Sequence, residues 1–344
     1  MLSLGVSFAE VTITGNIDQS IATIKGVHAG ADSSSTTGLM SVYTPSFITF
    51  TGSEDIGEGL KANFMLENGL GLNSTNLLAN NTNWNNGSSA NREAWVGLSG
   101  GFGSLQLGNQ YSPVFLTSAG TDPNAVNNVN GWLPFMVIYG NGQLVNSNAV
   151  TYSSPSMNGF ALQVQAIYGT NETVGAGKSA GDGSAWSINY ASGPFTAGVA
   201  SGANQLSTAK VLTGPATQGT TTNGTHAGAV GDTVTTQVAA LTYDLGMAKL
   251  TYLNTSSTLN DDSVRVDTFG LTVPVGAINI GYSTSSGTTK IKSAADVSST
   301  GQQLGVYYSF SKRTTGYFSY NVAKDTNGGD NSTTATAIGL RHTF

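Results

Sequence analysis

The chain has no cysteine, few charged residues and no long apolar run. The lack of cysteine excludes a disulfide framework and a thiolate metal site. Charged side chains make up only 9% of the 344 residues, whereas soluble globular domains carry roughly 25%. A transmembrane helix needs about 20 consecutive apolar residues, and the sequence contains no such segment. These features argue against an ordinary soluble enzyme and against a bundle of transmembrane helices.

Basic side chains are too few and too scattered for a nucleic-acid-binding surface. The formal net charge is −6, from 13 Lys and Arg and 19 Asp and Glu. No stretch is rich in lysine or arginine, so we expect no nucleic acid among the partners. Glycine, by contrast, is abundant at 45 residues. These glycines lack the period of three that a collagen triple helix requires.

The first nine residues differ from the rest of the chain. Ser7-Phe8-Ala9 places small residues where a signal peptidase reads them, directly before Glu10. A basic start and a longer apolar core are missing. We therefore expect residues 1–9 to be the residual tail of a signal peptide and residues 10–344 to form one β-barrel domain.

Apolar residues recur at every second position over most of the chain. In the segments 160–168 and 303–310, aliphatic and aromatic residues alternate with polar or small ones, which is the period of a strand with two different faces. Short connections alternate with long ones rich in Asn, Ser, Thr and Gly. The sixteen predicted strands span residues 10–26, 38–52, 59–70, 91–99, 103–112, 147–155, 159–169, 184–192, 194–203, 233–245, 247–256, 263–273, 277–286, 301–310, 314–323 and 333–344.

This pattern predicts an all-β protein, a 16-stranded antiparallel transmembrane β-barrel. An even number of strands lets the last pair with the first, which removes exposed edges. Sixteen closed strands enclose a space too wide for side chains to fill. The polar face would then line a water-filled lumen, and the apolar face would contact lipid. A β-sandwich core would give the same alternation and is the alternative fold.

Five segments, in order, carry a family resemblance. They are Gly52–Ala62 with the sequence GSEDIGEGLKA, Arg92–Gly103 with REAWVGLSGGFG, Tyr152–Phe160 with YSSPSMNGF, Ser311–Thr314 with SKRT, and Gly339–Phe344 with GLRHTF. Together they resemble the general trimeric porins of Gram-negative outer membranes. The resemblance implies a homotrimer in the cell outer membrane that passes ions and small hydrophilic solutes by diffusion. It implies neither a cofactor nor a bound metal.

The resemblance also implies that the third long loop, about 113–146, folds into the lumen and forms a constriction. The apolar run Trp132–Ile138 fits a loop that packs on the inner wall. Such porins usually place several arginines at this level. Phe47 and Thr51 stand where two arginines are usual, and Thr151 stands where a lysine is usual.

The charges that remain predict weak selectivity. Arg92 is the wall arginine that survives, on the same parity as Val96 and so expected to point inward. Asp122 of the long loop would lie opposite Arg92 and nearly cancel its charge. Charges in a narrow passage with low-dielectric walls are poorly screened.

Three further charges are expected in the lumen, and one outside it. Asp18, Lys61 and Glu67 face inward by parity, so the balance leans toward cations. Glu93 shares the parity of Trp95, and we expect it to point outward at a subunit interface or near the rim.

Two other functions remain open at this stage. An outer-membrane barrel could be a hydrolase, although His28, His226 and His342 have no ligand spacing and no sequence feature groups them with a nucleophile. A barrel could also act as a surface adhesin without a conducting pore. Conductance across a bilayer distinguishes both from a channel.

Overall fold

The computed structural model describes residues 10–27, 34–72, 92–125, 132–169, 173–174, 178–212, 214, 228–292, 294–326, 329 and 331–344. The residual signal tail predicted at 1–9 lies outside these ranges. The elements within them are β1 (Glu10–Val27), β2 (Ser34–Met40), β3 (Phe47–Gly57), β4 (Leu60–Gly69), β5 (Glu93–Gly100), β6 (Gly103–Tyr111), α1 (Pro113–Ala119), α2 (Leu133–Gly140), β7 (Val145–Ser153), β8 (Phe160–Ile167), β9 (Thr173–Val174), β10 (Lys178–Ser179), β11 (Gly183–Ser192), β12 (Phe195–Gln205), β13 (Thr233–Asp244), β14 (Lys249–Leu259), β15 (Asp262–Val275), β16 (Ile278–Lys290), β17 (Val297–Ser309), β18 (Thr314–Asp325) and β19 (Asn331–Thr343).

The long strands form one closed antiparallel barrel. Each pairs with the next along the chain, β8 pairs with β11, and β1 closes the ring by pairing with β19. β2 and β3 share one position, because both pair with β1, at Ser20–Gly26 and at Glu10–Asn16 respectively. The short strands β9 and β10 form a separate hairpin. The described residues thus supply sixteen strand positions, which confirms the predicted fold.

The predicted strand 38–52 is interrupted at residues 41–46. Pro45 cannot donate a backbone hydrogen bond, and side chains replace the missing ladder. The carboxylate of Asp18 accepts hydrogen bonds from the backbone nitrogens of Tyr43, at 2.8 Å, and Thr44, at 3.1 Å. The hydroxyl of Ser41 donates to the carbonyl of Asp18 at 2.8 Å. The prediction of one continuous strand over 38–52 is therefore wrong at this break, although Pro45 marks it in the sequence.

The two faces of the barrel differ as predicted. The side chains of Phe160 and Tyr168 are 52% and 60% exposed at opposite ends of one outer row, with Leu162 and Val164 between them. Gln165 on the inner row is buried. The exposed apolar rows continue around the barrel as the band that a lipid-facing surface requires.

The connections at the two ends of the barrel are unequal. At one end, short turns join β3 to β4, β5 to β6 and β11 to β12. The other end carries the longest connections, among them the one between β6 and β7, although Asn260 and Asp261 alone join β14 to β15. The described part of the chain contains no helix long and apolar enough to span a membrane.

Candidate functional site: the channel constriction

The loop between β6 and β7 folds into the barrel, as predicted for residues 113–146. It begins with Ser112, whose hydroxyl accepts a hydrogen bond from the backbone nitrogen of Phe115 at 3.0 Å and so caps α1. α1 then packs on β11, β12 and β13, and α2 packs on β14, β15 and β16. The loop therefore follows the inner wall across about half the ring.

Polar contacts fix the loop at successive points on this wall. Thr117 Oγ1 donates to Asn189 Oδ1 on β11 at 3.3 Å. Thr251 Oγ1 on β14 donates to a loop carbonyl at 2.7 Å. Tyr307 on β17 donates its hydroxyl to Asn124 Oδ1 at 3.0 Å. The last of these bonds fixes Asn124, in the middle of the loop, to β17. Counted around the ring from β7, β17 is eight strand positions away.

The apolar part of the loop is buried against the barrel. Leu133 and Val137 of α2 join Val264 and other inner-wall residues in one apolar cluster. Trp132 and Ile138 join a second cluster with residues of β12, β13 and β14. The predicted packing of Trp132–Ile138 on the inner wall is thus confirmed, and this side of the lumen is filled by the loop.

The C-terminal end of α2 is held by a lysine from another long connection. Lys210 donates from its ammonium group to the carbonyl of Gly140. A cation is favoured at this end of a helix because of the unpaired carbonyls there. Burial lowers the pKa of Lys210 below its usual value.

A second segment also folds inward, at the break 41–46. The ring of Tyr43 stacks on that of Tyr307 with centroids 4.5 Å apart. The guanidinium of Arg341 lies 5.2 Å from the Tyr43 ring centre, and its Nε donates to Asn16 Oδ1 at 2.6 Å. The segment thus covers part of the inner wall where the first strand, β1, pairs with the last strand, β19.

The wall opposite the loop carries a charged cluster. Arg92 Nε lies 2.6 Å from Glu67 Oε1, and both side chains are only slightly exposed. The guanidinium also lies 5.1 Å from the ring centre of Phe47 and 5.8 Å from that of Tyr111, whose hydroxyl it contacts. The ion partner of Arg92 is therefore Glu67 on the neighbouring strand.

The predicted parity of β5 is wrong. Val96 and Leu98 are 59% and 42% exposed on the outer face, so Trp95 and Glu93 point inward. Glu93, the first residue of β5, lies directly opposite Glu67 in the register of β4 and β5, so it faces the lumen and not the outer face as predicted. Trp95 shares this inward parity and faces the lumen, although large aromatic residues are typical of the lipid side.

The side chain of Arg92 nevertheless points into the lumen, although the alternation of residues along β5 does not predict this direction. It precedes β5 at a bend in the chain, so strand parity does not control its side chain. Its contact with Glu67, which lies on the inner row with Lys61, brings the guanidinium inside. Lys61 is exposed near the short-turn end of β4.

Two other predicted residues lie on inner rows but are covered. Asp18 is fully buried beneath the 41–46 segment, where it holds the backbone as described above. Thr151 is buried and accepts a hydrogen bond from Gln165 Nε2 at 2.9 Å. A substitution at either position would act on packing more directly than on passing ions.

The remaining predicted residues differ in exposure. Thr51 is half-buried on the inner face of β3, paired with Thr12 and Met65. Asp122 is buried within the loop, where its Oδ1 accepts from the backbone nitrogen of Asn124 at 3.0 Å. The structure thus brings Arg92, Glu67 and Phe47 together, and Asp122 lies in the loop and not in that cluster.

Sequence analysis missed Arg341. It lies on the inner row of β19 with Ala335 and Ala337, whereas Ile338 and Leu340 face outward. The signal was present, because the outward parity of Leu340 already assigns its neighbour to the lumen. Of the histidines weighed for a hydrolase, His28 and His226 lie outside the described residues. Among the residues described, no group of three or more His, Asp or Glu side chains is placed to hold a metal ion.

Relatives among characterised proteins are outer-membrane proteins. The major outer membrane protein P.IB of Neisseria lactamica is 28% identical over 98% of this chain and 95% of its own length. The P.IB of Neisseria gonorrhoeae is 32% identical over 56% of this chain. In that match, this chain spans about half the length of the gonococcal protein.

Solved structures share the fold. An anion-selective porin from Comamonas acidovorans superposes with a TM-score of 0.78 at 22% identity, covering 98% of this chain and all of that one. The trimer form of OmpT from Vibrio cholerae gives a TM-score of 0.65 at 15% identity over 98% of this chain. The family model described as Gram-negative porin matches residues 2–335. This match covers nearly all of a closed barrel that has an inward-folded loop. The chain therefore belongs to the Gram-negative porins, the channel-forming barrels of the outer membrane.

Proposed function

We propose that this barrel is a weakly selective diffusion channel for ions and small hydrophilic solutes, with a slight preference for cations. The observation that carries the proposal is the Arg92–Glu67 contact at 2.6 Å. Glu93 lies in register beside it, so two acidic groups surround one basic group. The cluster therefore offers no excess positive charge to a passing anion.

The other lumenal arginine is balanced in a similar way. Arg341 is paired in register with Asp18 across β1 and β19. Opposite charges that lie close together present a small net field to an ion at a distance. The positions Phe47, Thr51 and Thr151 add no charge at all. The anion preference named for the Comamonas porin therefore does not carry over to this chain.

The test is the reversal potential of single channels in a planar bilayer with a salt gradient. We expect a small potential of the sign that indicates cations. A strong anion preference would overturn the proposal on selectivity, and an absence of conductance steps from folded protein would overturn the channel itself. The double variant Arg92→Gln/Glu67→Gln is the matched control, because it removes the ion pair without changing its net charge.

We further propose a homotrimer as the working assembly. A broad band of apolar side chains is exposed on the outer face of the single chain, and lipid and neighbouring subunits are the surfaces that suit it. An unheated sample should migrate in SDS gels as a species about three times the mass of the heated chain. A barrel that migrates as a monomer in mild detergent would contradict this assembly.

A further inference from the structure

We propose that a row of glycines on the inner wall fixes the position of the constriction loop, and hence the width of the passage. The row is defined by five inward-facing residues on four of the strands along which the loop runs. Its members are Gly198 and Gly202 on β12, Gly270 on β15, Gly281 on β16 and Gly305 on β17. We call this row the glycine track.

Each member of the track is a place where a side chain would collide with the loop. A Cβ atom on Gly281 would lie 2.6 Å from Asn124 Oδ1 and 2.6 Å from the carbonyl oxygen of Pro123. On Gly270 it would lie 2.6 Å from Pro123 Cγ. On Gly305 it would lie 2.4 Å from Asn124 Oδ1. The far end of the loop therefore rests directly on backbone.

The near end of the loop shows the same arrangement. A Cβ atom on Gly198 would lie 2.7 Å from Thr117 Cγ2, and one on Gly202 would lie 2.0 Å from Gln143 Oε1. The loop thus rests in a groove of glycines, on β12 at its two chain ends and on β15–β17 at its middle. The loop approaches the wall more closely than any side chain would permit.

Backbone conformation does not explain these glycines. None of the five has a positive φ angle, whereas turn glycines such as Gly193 and Gly276 do. An L-residue can adopt the strand conformation at each track position. Space is therefore the property that glycine supplies there. At Gly202 and Gly281 the space is taken by the loop alone. At Gly198, Gly270 and Gly305 it is shared between the loop and a wall side chain, Asn189, Thr251 and Tyr307 respectively.

The loop would yield before the wall if a track glycine were enlarged. Gly281 and Gly305 are direct partners in the register of β16 and β17, and strands on both sides fix β16 in the ladder. The loop end is held by fewer bonds, among them the one from Tyr307 to Asn124. Because nonbonded carbon atoms rest about 3.5–4.0 Å apart, the loop would move by roughly 1 Å away from the wall and into the open lumen.

The experiment compares Gly281→Val with Gly38→Val. Gly38 is also inward-facing on a strand, but a Cβ there would meet no atom within 4 Å. We expect Gly281→Val to lower the single-channel conductance while Gly38→Val leaves it at the wild-type level. Heat-dependent migration in SDS gels verifies that each barrel is folded.

A second readout measures the loop itself. The chain has no cysteine, so spin labels can be placed at Ala125→Cys on the loop and Gln106→Cys on the far wall. Adding Gly281→Val should shorten the distance between the labels, measured by pulsed electron resonance. This distance reports loop position even if the pore fails to conduct, so the present proposal and the proposed channel function can fail separately.

Milder variants keep the test decisive if valine prevents folding. Gly281→Ala and Gly305→Ala should each give a smaller loss of conductance and a smaller approach of the labels. Folded alanine variants with wild-type conductance and wild-type distance would overturn the proposal. An equal loss of conductance in Gly38→Val would overturn it as well, because the effect would then not depend on the loop.

Discussion

The two sides of the lumen are built in opposite ways. From β11 to β17 the inner wall bears glycines and apolar side chains such as Val264 and supports an apolar loop, and Val137 and Ile138 of that loop are completely buried. From β3 to β6 the inner wall bears Lys61, Glu67 and Glu93, and no described loop segment packs on it as α1 and α2 do on the other side. One side of the passage is thus formed by packing and the other by charged side chains.

This difference separates two properties of the channel. We expect the docked side to set how wide the passage is, because the position of the loop depends on apolar contacts and on the proposed glycine track. We expect the charged side to set which ions prefer the passage, because Arg92 and its acidic neighbours lie there. Substitutions on the two sides should therefore change conductance and selectivity independently.

The largest expected effect comes from loosening the docked side. Leu133→Ala removes a buried side chain of α2, and such a change costs about 2–5 kcal/mol. We expect the loop to detach for part of the time, so that single-channel currents become noisier and larger. Leu116→Ala is the control, since Leu116 lies in the same loop but is 48% exposed; equal noise in both variants would contradict the assignment.

The next effect comes from the charged side. Arg92→Gln removes the ion partner of Glu67 Oε1, while Glu67 Oε2 still accepts a hydrogen bond from Thr49 Oγ1 at 2.9 Å. A poorly solvated polar atom that loses its partner costs about 1–3 kcal/mol. The reversal potential should move clearly toward cations, and the thermal midpoint of the barrel in detergent should fall. If the potential stays unchanged while the midpoint falls, Arg92 is a structural residue without influence on ions.

A smaller effect is expected at the second lumenal arginine. Arg341→Gln removes the hydrogen bond to Asn16 and the contact with Tyr43, and a cation–π contact at a partly exposed site is worth about 0.5–1 kcal/mol. The reversal potential should shift toward cations by less than in Arg92→Gln. Arg313→Gln, in the short turn between β17 and β18, should leave it unchanged; an equal shift there would indicate a general charge effect.

The smallest effect is expected outside the lumen. Arg265 and Asp267 form an ion pair on the outer face of β15, with Arg265 Nε 3.2 Å from Asp267 Oδ2. Exposed pairs contribute little because water and salt screen them. Arg265→Gln should leave both conductance and reversal potential at wild-type values, and a shift in either would show that charge outside the barrel also acts on the passage.

Much of the fold could be predicted from alternation, because a strand between lipid and water repeats every two residues. The strands around Phe160 and Leu304 show this directly. Alternation gave a wrong prediction where a local feature of the chain, and not the boundary between lipid and water, sets the backbone path. Pro45 and the Asp18 carboxylate interrupt the second predicted strand, and the bend at Arg92 removes the strand parity from which the orientation of its side chain was predicted.

The candidate site was less predictable than the barrel. The inward loop was identified from its length, its apolar run and the family resemblance, but its path depends on contacts between distant segments. Asn124 and Tyr307 are close only in the folded barrel. The track glycines lie inside predicted strands, whereas Gly193 and Gly276 lie in predicted turns. The sequence does not show, however, which strand glycines the loop contacts.

The closure between β1 and β19 has a consequence for assembly. Gly15 and Phe344 exchange backbone hydrogen bonds at 3.0 and 3.1 Å, and the ring of Phe344 lies where a side chain on residue 15 would be. Contacts between segments so far apart form slowly, since a long chain must be brought together first. Until β19 pairs with β1, the sheet has two unpaired edges, and each is a template for pairing with a strand of another chain. The pairing of β1 with β19 is therefore the step before which a nascent barrel is most vulnerable to aggregation.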